Sequence, residues 1–326
     1  MTCSRARGIA LAGALALVLV LVVALALTLT LTSTAAQGQR AFPGVTRDTA
    51  SVTRLIILGS GTPVPDPERS GPAFAVTYGT RTFLFDAGAG VMRRVAAAGL
   101  PIDGMTAVFL THLHSDHTLG LPDVIHTTWV MGRASPMPVI GPPGTTAMVG
   151  HIQSAWVEDI VVRTEGLERG RKGGHRVTVK ETTGGVVYDS AGIRIRAIPV
   201  PHGSWNHAFA FRIDTPDRSI VLGGDTAPSR ALEEAARGVD QLVHEVYASK
   251  RVAPENRPGG ELWPQYLREF HTSDEELGAM AARARPKQLI LAHVLRMGGT
   301  MEEVVAGIRR GGFSGTLVVA KDLERY

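Results

Sequence analysis

A chain of 326 residues, 44% apolar and 20% charged, suits one large globular domain or two small ones and is too apolar to stay disordered. Its 34 basic and 30 acidic residues leave a formal charge of +4, scattered rather than clustered, which welcomes an anionic substrate but falls short of the basic stripe of a nucleic-acid binder. The only cysteine, Cys3, precedes a long apolar run, so the body after it can form no disulfide of its own.

Arg5 and Arg7 lead into an apolar run from about Gly8 to Leu31, followed by small and polar residues through Ala36 and Gln37. This reads as a signal peptide over residues 1–36. Because the run reaches the ~20 residues that span a bilayer, an uncleaved membrane anchor is the alternative. Either way the positive-inside rule places the body outside the cytoplasm, periplasmic or extracellular. Residues 37–50 read as a linker, and 51–326 as the globular body.

Leu55-Ile56-Ile57-Leu58 is a short buried strand stopped by Gly59-Ser60-Gly61-Thr62-Pro63. Phe74–Tyr78 and Thr82–Phe85 form a hairpin that ends at Asp86, and an amphipathic helix covers about Val91 to Ala98. The strand Ala107–Leu110 comes next, then helices near Pro122–Val130 and Thr145–Val157 around a strand at Met137–Ile140. Strands follow near Val186–Tyr188, Ile193–Pro199, Ala208–Ile213 and Ser219–Leu222, and the stretch Val252–Phe270 reads as a rim whose aromatics could stack on an aryl or base group. This is an α/β layered body without a visible internal repeat.

His112-Leu113-His114-Ser115-Asp116-His117 places four metal-capable side chains directly after an apolar strand. In an extended strand end His112 and His114 point the same way, and the following turn can bring Asp116 and His117 to the same cavity, giving donors for two ions side by side. Zn²⁺ accepts this nitrogen and oxygen set well, and Mn²⁺ or Fe²⁺ also suits it. Further donors recur beyond strands: His202 in Pro-His-Gly, Asp225 in Gly-Gly-Asp-Thr, and His293 after Leu289–Ala292. Neighbouring strand ends converge on one crevice, so donors distant in sequence can meet there.

With Asp86 after its strand, these segments resemble the metallo-β-lactamase superfamily of binuclear hydrolases, from about Leu55 to the C-terminus. The resemblance implies an αββα sandwich with two metals on one edge. His112, His114 and His202 would hold one metal and Asp116, His117 and His293 the other, with Asp225 bridging and Asp86 orienting a ligand imidazole. His244-Glu245 and His271-Thr272-Ser273 resemble motifs of the ribonuclease Z branch, which makes Glu245 and His271 the pair that protonates the leaving oxygen, while Asp116 also orients the attacking water.

Only 22 residues separate His202 from Asp225, too few for the basic arm by which that branch grips tRNA. With export, this favours an arylsulfatase- or phosphodiesterase-like enzyme of sulfate or phosphodiester esters. The expected partner is then a small-molecule ester rather than nucleic acid, with membrane contact only through an uncleaved N-terminal segment, and a homodimer is compatible. A lactonase, a ribonuclease Z-type endonuclease and a non-catalytic metal-binding protein of the same fold are the alternatives.

Overall fold

The computed structural model describes residues 51–326 except Arg169 and Arg171, so the expected signal or anchor over 1–36 and the linker over 37–50 lie outside the described residues. Thirteen strands among the described residues form two sheets. The first runs in order through β1 (Thr53–Gly59), β2 (Ala73–Tyr78), β3 (Arg81–Phe85), β4 (Met105–Phe109), β5 (Met137–Gly141) and β6 (Val177–Glu181). The second comprises β7 (Gly185–Ser190), β8 (Ile193–Pro199), β9 (Phe209–Asp214), β10 (Ser219–Leu222), β11 (Gln241–Tyr247), β12 (Gln288–Leu295) and β13 (Thr316–Val319). In each sheet an antiparallel meander gives way to parallel strands, at β3–β4 in the first and β10–β11 in the second.

The unbroken apolar run Leu55–Leu58 follows from this layering, because a strand buried on both faces cannot alternate with polar residues. Leu55 and Ile57 face the core between the sheets, while Ile56 and Leu58 pack under helices. Between the sheets, Phe85 stacks on Phe109 with ring centroids 5.0 Å apart, and Phe109 meets Phe211 of the opposite sheet at 5.6 Å. Helices α1 (Val91–Ala97) and α3 (Leu121–Val130) cover the outer face of the first sheet, the short α2 (Ser115–Thr118) lying between them in sequence. On the outer face of the second sheet, α6 (Arg230–Ala235), α8 (Asp274–Ala284) and α9 (Met301–Arg310) contribute Leu232, Leu277 and Ile308 to a third buried cluster. This is the αββα sandwich.

Several elements differ from the sequence-based expectation. The helix expected over Thr145–Val157 is two, α4 (Thr145–Ala155) and α5 (Val157–Glu165), joined at Trp156 with φ −107° and ψ 19°. The strand β6 was not expected, because an edge strand packed on one side carries the polar sequence Val-Thr-Val-Lys-Glu. The Val252–Phe270 rim ends in a helix, α7 (Trp263–Phe270), whose Pro264 sits in the first turn, where a missing N–H costs nothing.

Candidate active site

Asp86, His112, His202 and Asp225 lie just past strands, His293 sits at an irregularity within one, and Asp116 and His117 lie in the short α2 that follows β4. Asp86 follows β3 and adopts φ 57°, and His293, within β12, has φ 53°. Non-glycine residues in this left-handed region cost on the order of 1–3 kcal/mol each, strain that accumulates at functional sites. Between His244 and Val246 the β11–β12 register shifts, so Glu245 and His293 fall out of the ladder together. The bulge re-aims both side chains.

Hydrogen bonds fix which imidazole nitrogens face the centre. Thr111 donates to Asp86 through its N–H (2.8 Å to Oδ1) and its hydroxyl (2.9 Å to Oδ2). With its one proton spent there, the hydroxyl accepts from Nδ1 of His112 at 2.9 Å, leaving a lone pair on His112 Nε2. His202 donates from Nδ1 to the Phe270 carbonyl at 2.7 Å, and His117 from Nδ1 to Asp86 Oδ2 at 2.8 Å. The Nε2 lone pairs of these histidines are thereby turned inward.

Two groups of donors result. His112 Nε2 and His202 Nε2 lie 2.9 and 3.2 Å from His114 Nδ1. His293 Nε2 lies 3.2 Å from Asp116 Oδ2, and His117 Nε2 lies 3.5 Å from Asp116 Oδ2 and from Asp225 Oδ1. The second oxygen of Asp225 reaches His293 Nε2 at 3.5 Å, and Asp225 also converges with His112 and His117, so this carboxylate stands between the groups. Buried His117 Nε2 has no hydrogen-bond partner, and His112, His114 and His202 converge without a carboxylate. Imidazole nitrogens and carboxylate oxygens converging in two close groups, with His117 Nε2 unpartnered, are the chemistry of a metal site, so the donor set fits divalent ions.

Burial and charge act in opposite senses across the cluster. Burial, with neighbouring imidazoles, holds His112 well below the ordinary histidine range, and burial pushes His202 down to about 4. Both are neutral ligands in waiting. Burial also disfavours a charge on His117, but the Asp225 and Asp86 carboxylates outweigh it and hold His117 well above the usual range. Burial opposes the charge of Asp225 too, yet His293 and His117 keep its carboxyl well below the usual range.

Beside this cluster, His271 is 3% exposed, with Nδ1 3.4 Å from Glu245 Oε1 and 3.9 Å from Asp225 Oδ2. Burial lowers its basicity, and Glu245 with Asp225 more than restores it, so its pKa lies above the ordinary value. Glu245 is itself pinned by the backbone N–H of Thr272 at 3.0 Å. A cavity of about 840 Å³ opens onto Asp116, Asp225, His271 and His293, with Arg251 and Arg296 also lining it.

His244 takes a structural place, its Nδ1 donating to the Glu245 carbonyl at 2.6 Å. His126 and His175 pack among Trp129 and Trp156, away from the donor groups. Nothing in the sequence motifs marks Trp205, whose indole N–H donates to His114 Nε2 at 2.8 Å. Its position three residues past His202, in the same turn, was the available clue.

The β-lactamase superfamily domain model matches residues 81–294. Ribonuclease Z of Mycobacterium bovis (strain BCG / Pasteur 1173P2) is 38% identical over 277 residues, spanning 83% of this chain and 96% of that protein. Ribonuclease Z of Mycobacterium tuberculosis (strain ATCC 25618 / H37Rv) is 36% identical over 277 residues, with the same coverage. The fold matches the metallo-β-lactamase fold protein YhfI of Bacillus subtilis with a TM-score of 0.63 at 17% identity, covering 84% of this chain and 98% of that one. The short form of human tRNase Z matches with a TM-score of 0.59 at 19% identity, with the same coverage.

These matches correct the expectation of a small-molecule ester rather than a nucleic-acid partner, since the named relatives are ribonucleases. The missing arm does not separate this chain from them. A 277-residue match over 96% of the M. bovis protein leaves no long unmatched arm in that protein either. The named relatives favour the ribonuclease Z alternative over the arylsulfatase-like reading. With the sandwich, the donor set and these relatives together, the chain belongs to the metallo-β-lactamase superfamily of metal-dependent hydrolases, in its ribonuclease Z branch.

Proposed function

We propose that this protein hydrolyses phosphodiester bonds of RNA, with tRNA as the first substrate class to test. The observation that carries the reading is the Glu245–His271 pair beside the convergent donors, its imidazole opening with Asp116, Asp225 and His293 onto one cavity. A metal-storage protein needs no proton donor there. Arg69 and Arg296 line the same cavity and suit an anionic substrate.

In this reading His112, His114 and His202 would hold one divalent ion and Asp116, His117 and His293 a second, Zn²⁺ first among those to test, with Asp225 available to both. When bound, such ions lower the pKa of water and neutralise charge on a phosphoryl group. Asp116, held by His293, orients the attacking water, and His271, charged with the help of Glu245, protonates the leaving oxygen.

The full chain, loaded with Zn²⁺ or Mn²⁺, is expected to cleave bis-p-nitrophenyl phosphate and a tRNA precursor transcript. Faster turnover of p-nitrophenyl sulfate or of an acyl-homoserine lactone would overturn the assignment. For residues 1–36 we propose export, supported by Arg5 and Arg7 ahead of the apolar run. Cell fractionation that finds the protein in the cytosol with Met1 intact would refute that part alone.

A further inference from the structure

Helix α7 carries Trp263, Tyr266 and Phe270 at spacings of three and four residues, which aligns the rings on one helical face. Trp263 and Tyr266 stack with centroids 4.8 Å apart and planes 11° from parallel, and Tyr266 stacks on Phe270 at 4.4 Å and 26°. Arg257 lies over the Trp263 ring, 5.5 Å from its centroid, and Phe270 lies near-parallel to His114 at 6.5 Å. Both faces of Tyr266 are therefore taken. The rim aromatics do not offer it as a stacking platform for a base; they hold its ring still and leave its hydroxyl edge to the cavity.

That hydroxyl lies 3.4 Å from His271 Nε2, while Glu245 sits 3.4 Å from Nδ1 on the other side of the imidazole. Tyr266 lines the cavity together with Asp116, Asp225 and His293. Two donors, one phenolic and one imidazole, thus stand side by side where a phosphoryl group would meet the carboxylates.

We propose that the Tyr266 hydroxyl donates a hydrogen bond to a non-bridging oxygen of the scissile phosphodiester while His271 protonates the adjacent leaving oxygen, an inference that rests on the phosphodiesterase reading above. Burial, with Asp225 and Asp116 nearby, raises the Tyr266 pKa to about 12, so the phenol keeps its proton through the neutral range. No bond of Tyr266 is made or broken. Its contribution is a fixed dipole aimed at charge that grows in the transition state, and a rigid ring supplies it without reorganisation.

Tyr266→Phe keeps the ring stack and removes only the donor. With the full metal-loaded chain and two thymidine 5′-phosphodiesters, one releasing p-nitrophenoxide and one releasing phenoxide, kcat is expected to fall by about 10²-fold on both. KM, metal content and melting temperature are expected to stay at wild-type values. An unchanged kcat overturns the inference, as does a loss of bound metal. A loss that is larger for phenoxide than for p-nitrophenoxide also overturns it, because Tyr266 would then act only through the proton held by His271. If the wild type cleaves neither ester, the phosphodiesterase reading itself fails; if it cleaves both and the variant equals it, only the role of Tyr266 fails.

Discussion

His271 meets carboxylates through Nδ1 and the cavity through Nε2, the arrangement of a general acid rather than of a ligand. His271→Ala is expected to lower turnover by about 10²–10⁴-fold for poor leaving groups, with a small loss for p-nitrophenyl esters and unchanged metal content. An equal loss for both classes, or lost metal, would show a structural role. Because Glu245 and Asp225 hold the His271 pKa above its ordinary value, the acid stays charged to higher pH, and activity falls as pH rises through that raised value. Glu245→Gln removes one of the two charges, so the alkaline limb of kcat/KM should move to lower pH; a limb that stays in place would detach Glu245 from the acid. At His114, ligation through Nδ1 puts the ring proton on Nε2, opposite the indole N–H of Trp205 2.8 Å away. Two donors cannot share that contact. Metal addition should therefore change tryptophan fluorescence in the wild type and much less in Trp205→Phe, a difference read directly by titration.

Among the elements, the turn after β8 and helix α7 are mechanically one unit. Gly203, at φ 53°, is so close to Phe270 that an added Cβ would meet its ring at 2.0 Å, and the Phe270 carbonyl holds the His202 imidazole. Gly203→Ala should push Phe270 away and weaken metal binding, so that a higher free metal concentration is needed for half-maximal activity; metal affinity equal to wild type would show that the two segments move independently. The start of α8 is fixed by a capping box between Ser273 and Glu276, two residues past His271. A cap of this kind contributes roughly 1 kcal/mol to stability, and here it also sets where the His271 backbone leaves α7.

For the whole molecule, the donor groups gather residues from both sheets, so bound metal ties the halves of the sandwich together. Chelation should lower the melting temperature, since a ligand present at 100 times its Kd adds about 2.7 kcal/mol to the folded state. Elemental analysis after dialysis should find two ions per chain, with less than that in Asp225→Ala. One ion or fewer in the wild type would leave Asp225 without its shared role.

The α/β layering and the candidate site's donors were legible in sequence because their causes are local: an apolar run before His112–His117, and polar residues just past strands at Asp86, His202 and Asp225. Trp205 on His114, the carbonyl of Phe270 on His202 and the hydroxyl of Tyr266 on His271 were not, since each joins segments through side-chain placement that no spacing encodes. The division of the helix at Trp156 and the polar edge strand β6 follow from packing against neighbours, which overrides weak local preference. The chain itself determined which chemistry is available, because side-chain types and strand punctuation are local properties. Only the tertiary structure decided which nitrogens face the cavity, because that depends on hydrogen-bond partners brought together by the bulge at Glu245, the left-handed residues Asp86 and His293, and the meeting of two sheets.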